Sequence, residues 1–394
     1  MNQPKLKSVR IRNFKAVQDS KSVKFTPLTV LIGDNGSGKS SLIEGLETLQ
    51  SIVVDGLDEA MYRWRGLEHI RHHEARQSKR TRQAKNFDNH IEPRLYRTDP
   101  LSFELRTTLA NAWMEVNESK EGNELFIQYE KIHDRPQMDL ERDARGLIKP
   151  NIQLGTFGLT DSRLQNGESL LRYAHNLASF IEKWQLVLLN PQSMGDPIPQ
   201  KRTGGPIRLN KDGSNIAEYL LSIRKLDSYA FEGIIESLQV VLPYARDLQP
   251  ALTSELERNV YLQLTEGKYK VPGWLLSTGT LRILALLAML RHPTPPPLIV
   301  IEEIENGLDP STIHLMVEEM RSAVESGLTQ IILTTHSPYL LDLLPLSSIV
   351  LVERIDDQPT FTRPANQESL QEWTKSFAPG QLYTMGRLSS QGAI

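Results

Sequence analysis

Four short stretches carry residue types whose spacing implies chemistry on phosphate. Residues 33–40, "GDNGSGKS", fit G-x-x-x-x-G-K-[ST]. In that pattern Gly33, Gly36 and Gly38 let the backbone curl around a β-phosphate, with Asp34, Asn35 and Ser37 filling the loop between them. Lys39 places a point charge on the β/γ oxygens, Ser40 offers its hydroxyl to Mg²⁺, and Ser41 continues into the helix. Further on, "LIVIEE" ends in Glu302 and Glu303. One carboxylate there can hold the magnesium shell and the next can polarise an attacking water. "QIILTTH" ends in His336, whose imidazole can donate to a γ-phosphate oxygen. The fourth stretch, Ser277, Thr278, Gly279 and Thr280, empties straight into a long apolar run. Small residues ahead of a helix leave backbone N–H groups bare for an anion; an ordinary cap, with Ser277 satisfying those groups, is the alternative.

These residues need elements to hold them. Leu28–Ile32 is a continuous apolar and β-branched run, as a strand buried on both faces should be. Helical spacing follows at Leu42, Ile43, Leu46 and Leu49. Prolines at 293–297 close the helix that begins at Thr280, and Leu298–Ile301 and Gln330–Leu333 then read as two more buried strands. Both deliver their polar ends to the C-terminal edge where open α/β sheets bind ligands. Pro338 is placed to start the helix after His336. In the middle of the chain, "SFELRTTL", "AWMEVN" and "ELFIQYEKI" alternate as antiparallel strands rather than forming heptads. Residues 169–189 read as helix into strand, "NKDGSNIAEYLLSIRK" as a capped helix, and "VYLQLTEGKYKVP" as a hairpin leading to Ser277.

The whole chain carries a net charge of −3 and no cysteine, which excludes disulfides and thiol nucleophiles and suits a reducing cytoplasm. The opening residues lack the apolar segment of a secretory leader, and no apolar run is long enough for a bilayer span, so no membrane role is expected. One local patch departs from this balance. Residues 61–85 hold Arg63, Arg65, Arg71, Arg76, Lys79, Arg80, Arg82 and Lys85 against two glutamates, with Tyr62 and Trp64 available to stack on bases. That composition suits nucleic-acid phosphates, or simply a solvated insertion. His69, His72 and His73 in the same patch are formal metal-ligand candidates.

Taken in order, "GDNGSGKS", "LSTGT", "IVIEEIENGLDP" and "TTHSP" resemble the ATP-binding-cassette ATPase heads of RecF, SMC and OLD proteins. The opening "VRIRNFKAV" resembles the first strand of those heads, and the tail "VLVERIDDQPTFTRP" resembles the compact, armless RecF-like AAA-family ATPases of bacteria. The likeness covers residues 5–50 and 270–355. It implies an α/β P-loop fold with a mixed central sheet, an antiparallel β subdomain and a helical subdomain. A single head is expected over 1–394: a nucleotide core from 1–50 and 270–355, a β subdomain with a helical and basic insertion over 51–269, and a tail, 356–394, packed on the core.

The resemblance also implies roles. Lys15 lies near the nucleotide, and Ser277 with the N–H groups around Gly279 reaches the γ-phosphate held by a partner's P-loop. Asp309 sits in the loop that crosses between subunits, and a glutamine, Gln192 as the candidate, completes the magnesium shell. Glu302 stands where an Asp is usual, and Thr278 where a second glycine is usual. The implied function is an ATP-hydrolysing switch, with ATP and Mg²⁺, in a homodimer or higher homo-oligomer that sandwiches the nucleotide. Its output is DNA binding and repair, or control of a separate effector such as a nuclease in phage defence. The chain after His336 is too short for the nuclease domain of OLD proteins, so any nuclease is expected in trans. A nucleotide-binding scaffold with little turnover is the main alternative, ahead of a transporter subunit or a small-molecule kinase.

Overall fold

The computed structural model describes residues 3–76, 99–119, 124–134, 138–150, 163–254, 256–367 and 370–389. A six-stranded sheet lies at its centre, in the order Gln185–Val187, Leu298–Ile301, Gln330–Thr335, Leu28–Ile32, Ile349–Ile355, Gln358–Thr362. Neighbours are parallel except the last pair. Register explains why this sheet makes a site. Val187 and Leu333 both pair with Ile301, and Thr335 is level with Ile32, so Glu302, His336 and Gly33 all leave the sheet at one edge.

The strands are buried on both faces, and their period-2 alternation divides two cores. Val30, Ile32, Ile301 and Leu333 face one core, with the helix Thr278–Leu290 and the helix Pro310–Glu325. Leu31, Val300, Ile332 and Val350 face the other, with the helix Lys39–Val54 and a second sheet. That second sheet is eight-stranded and antiparallel. It joins the N-terminal strands to Leu101–Thr107, Ala110–Glu118 and Leu125–Asp134, the three segments whose alternation marked them as strands. A third, four-stranded sheet holds Ala245–Leu252, Asn259–Glu266 and Tyr269–Pro272, including the hairpin before Ser277.

Several boundaries move. The helix expected from Thr280 begins at Thr278, because Ser277 is its N-cap. The strand expected to stop at Leu333 continues through Thr334 and Thr335, both buried. Ile349–Ile355 is followed by Gln358–Thr362 in a tight hairpin whose turn residues Asp356 and Asp357 have φ of 49° and 59°. Two left-handed residues in succession match the twist of a two-residue hairpin, and Asp tolerates that conformation better than most residues. Beyond the hairpin, Leu370, Leu382 and Leu388 join the first core, so the described part of the tail packs on the nucleotide half of the chain.

Candidate nucleotide site

The loop after Leu28–Ile32 has the backbone that its glycines permit. Gly36 and Gly38 have φ of 75° and 113°, in the region that favours glycine. Gly33 is glycine for another reason than the phosphate turn expected of it: a Cβ there would lie 2.0 Å from the Val352 carbonyl oxygen on the adjacent strand. The helix Lys39–Val54 opens at Gly38 with no side chain capping it, so its first N–H groups are offered to a ligand. Lys39 is 6% exposed, and its ammonium donates to the carbonyls of Gly33 (2.7 Å) and Asp34 (3.0 Å). Burial pushes its pKa down, while the charges of Asp34, Glu303 and Glu305 oppose that shift. An uncapped helix start beside a buried ammonium fits a phosphate chain.

Glu302 is 8% exposed, and the Ser40 hydroxyl lies close enough to its carboxylate to favour the charged form. Burial pushes the Glu302 pKa up, with Lys211 and the Ser40 hydroxyl acting against it and Glu44 and Glu47 adding to it. Two oxygen donors from opposite halves of the chain are therefore neighbours, and oxygen is the donor type that hard divalent cations favour. Glu303 sits next to this pair in a left-handed conformation, φ 51°, unusual for a residue other than glycine. Its N–H donates to the Thr334 hydroxyl at 2.9 Å, and its carboxylate accepts from the Asn306 amide.

His336 is exposed at the same edge, one strand over, and its backbone N–H donates to the Glu305 carboxylate. Glu305, Thr334, Asn306 and Lys211 were not singled out from the sequence. The run "EEIEN" contained the first signal, a third carboxylate four positions past the strand end. Lys211 comes from a loop whose backbone pairs with Leu188, and its ammonium meets Glu47 at 2.7 Å. Gln192 is exposed in the short helix Pro191–Met194 after the edge strand, on the same side of the sheet.

The Ser277 stretch is both cap and surface. The Ser277 hydroxyl accepts the Thr280 N–H at 3.1 Å and shares a 2.8 Å hydrogen bond with the Thr280 hydroxyl, while Ser277 and Thr278 remain exposed. A Cβ on Gly279 would lie 2.8 Å from the Gly307 carbonyl, so the stretch is pressed against the loop that follows Glu303. Four positions along the helix, Arg282 donates to the Leu189 carbonyl at 3.0 Å, and Glu303 acts on its charge. Asp309 is exposed, yet its carboxylate is the N-cap of Pro310–Glu325. It accepts from the N–H groups of Ser311 and Thr312 and from both hydroxyls. These bonds hold its pKa down at about 2.

Lys15 is a positive-φ residue whose ammonium pairs with Glu44 at 2.7 Å and lies 3.8 Å over the Trp64 ring. The basic patch separates into parts. Arg71 leaves it: the side chain is buried and bonds to Glu118 (2.8 Å) and Asn117 (3.0 Å), because an interior guanidinium needs a carboxylate partner. Arg63 pairs with Asp55, Arg65 is exposed, and Arg76 ends a short turn of 3-10 helix. Lys79, Arg80, Arg82 and Lys85 lie outside the described residues. Trp64 is structural, its indole N–H donating to Thr48. The rings of His72 and His73 lie 4.3 Å apart, His72 is buried, and among the described residues no group of three or more His, Asp or Glu side chains forms a metal site.

Residues 28–342 match the profile of the family described as "AAA domain, putative AbiEii toxin, Type IV TA system". The chain belongs to this family. The fold is shared with SMC heads. A Pyrococcus furiosus Smc head domain with an extended coiled coil, bound to the C-terminal domain of ScpA, is 12% identical and superposes with a TM-score of 0.53, over 95% of this chain and 100% of that one. An SMC head domain from Thermotoga maritima is 13% identical, with a TM-score of 0.40 over 91% and 98% of the two chains. No curated protein sequence matches. The chain thus carries an AAA domain with the fold of an SMC head. None of its described helices is long and apolar enough to cross a membrane.

Proposed function

We propose that this protein is a Mg-ATP-dependent switch that hydrolyses ATP between two copies of the chain. The observation that carries the reading is the meeting of Ser40 with Glu302 beside a Glu303 pinned by Thr334 and Asn306. Ser40 and Glu302 would hold magnesium, which when bound supplies charge to the β- and γ-oxygens. Lys39 turns from the Gly33 and Asp34 carbonyls to the phosphates, Glu303 orients the attacking water as general base, and His336 faces the γ-phosphate. Gln192, exposed in the short helix after the edge strand, would sense the same shell.

The exposed Ser277 and Thr278, next to a helix N-terminus, are suited to meet a phosphate held by the other copy. Binding energy at that shared phosphate is what couples nucleotide state to assembly. A separate effector protein is favoured as the output over DNA. The family's description includes "AbiEii toxin, Type IV TA system", the Pyrococcus head is bound to a protein partner, and Arg71 is removed from the basic surface. Phosphate release from the purified protein tests the catalytic half. Glu303→Gln should slow turnover by about 10²–10⁴-fold with ATP still bound. Turnover equally slow in both proteins would instead support the scaffold that binds without hydrolysing.

A further inference from the structure

The sheet order fixes which way a triphosphate must run. Glu303 and His336 follow strands on one side of Leu28–Ile32. A γ-phosphate within their reach leaves the α-phosphate and the nucleoside on the other side, toward Ile349–Ile355. On that side lies a cavity of about 310 Å³. It is walled by Gly33, Asp34 and Ser37 of the P-loop, by Glu353 and Arg354 at the end of the neighbouring strand, and by Tyr383 from the C-terminal helix Pro379–Thr384. Two polar atoms of this wall are buried without a hydrogen-bond partner: the Ser37 Oγ, on a residue 4% exposed, and the Glu353 Oε2. Buried polar groups left unpaired are costly, and they mark places where a ligand supplies the partner.

Tyr383 is held in place by its own element. The Gly380 N–H donates to Asp342 at 2.6 Å, and a Cβ on Gly380 would lie 2.0 Å from the Pro338 carbonyl, so only glycine lets this helix dock there. Leu382 is fully buried beside it. The Tyr383 hydroxyl reaches the Asp34 carboxylate at 3.5 Å. Burial, with Asp34 and Glu353 nearby, pushes the phenol pKa up, so it stays protonated. An aromatic ring beside an unpaired carboxylate oxygen suits a flat, amine-bearing heterocycle.

We propose that this cavity is the nucleoside subsite: the Tyr383 ring forms a wall for the purine, and Glu353 accepts a hydrogen bond from the exocyclic amine of adenine. The proposal rests on the P-loop being an ATP site. It makes Glu353 a specificity residue, because inosine triphosphate presents a keto oxygen where adenine presents the amine, and a carboxylate cannot donate to it.

Calorimetric affinities of the full chain for ATP, inosine triphosphate and inorganic tripolyphosphate test this. Tyr383→Ala should weaken ATP about tenfold and leave tripolyphosphate within about twofold, whereas Tyr383→Phe, which keeps the ring, should stay near wild type. Glu353→Gln should collapse a roughly tenfold preference for ATP over inosine triphosphate, since the amide can donate to the keto group. Lys39→Ala serves as the control and should weaken ATP and tripolyphosphate together. Tyr383→Ala that leaves ATP unchanged, or weakens both ligands equally, overturns the subsite while the P-loop reading stands. Wild-type protein that binds neither ATP nor tripolyphosphate overturns both.

Discussion

At the scale of single residues, Glu303 shows most plainly what the site requires. Its left-handed backbone, φ 51°, is a conformation that costs of order 1–3 kcal/mol for a residue with a side chain. It persists because the Thr334 hydroxyl and the Asn306 amide hold it from two directions. The carboxylate lies close enough to Lys39 for its charge to act on the ammonium. Glu303→Gly should therefore lose turnover while its thermal midpoint stays level or rises, as glycine relieves the conformation. A lowered midpoint would mean the carboxylate contributes more to the fold than its backbone costs. Glu303 itself was legible in the sequence, since a carboxylate pair after four aliphatic residues is conspicuous. Its handedness was not, nor was the Glu305 carboxylate on the His336 N–H, because both depend on how Gln330–Thr335 lies beside Leu298–Ile301.

At the scale of elements, helix starts divide into two kinds. Lys39–Val54 opens without a side-chain cap and so keeps its N–H groups for a ligand, whereas Pro310–Glu325 is closed by Asp309. The "NGLDP" stretch was read by resemblance as an inter-subunit loop, while the sequence D-P-S-T also spells a cap followed by proline at the first helical position. Asp309→Ala should cost about 0.5–2 kcal/mol of stability at neutral pH. The Asp309 pKa in the folded protein, about 2, lies below its ordinary value of 3.8. Protonation therefore favours unfolding, and the contribution is complete above about pH 4 and lost as pH falls through about 2. Denaturant midpoints of wild type and Asp309→Ala should converge over that acid window; a gap that persists to pH 2 would place the stabilisation elsewhere. The buried strands were readable from aliphatic runs, since two-sided burial leaves no polar alternation. The Asp356–Asp357 hairpin and the burial of Arg71 were less so. The first depends on φ at two residues, and the second on Glu118 arriving from a strand more than forty positions away.

At the scale of the whole molecule, one sheet separates two cores and delivers residues from both ends of the sequence to one edge. The P-loop and the Ser277 stretch lie on different elements of that architecture. Gly279 packs on the Gly307 loop of its own chain, and Ser277 with Thr278 faces outward. Closing two copies about a two-fold axis across two nucleotides would bring each outward stretch to the other's phosphate, a self-complementary interface of the kind closed dimers use. The measurement that bears most directly on this is light scattering of the Glu303→Gln protein with and without Mg-ATP, alongside the same protein carrying Ser277→Arg. ATP should double the mass of the first and leave the second unchanged. A mass indifferent to ATP in the Glu303→Gln protein would contradict the shared-nucleotide switch and leave Ser277 as a helix cap alone.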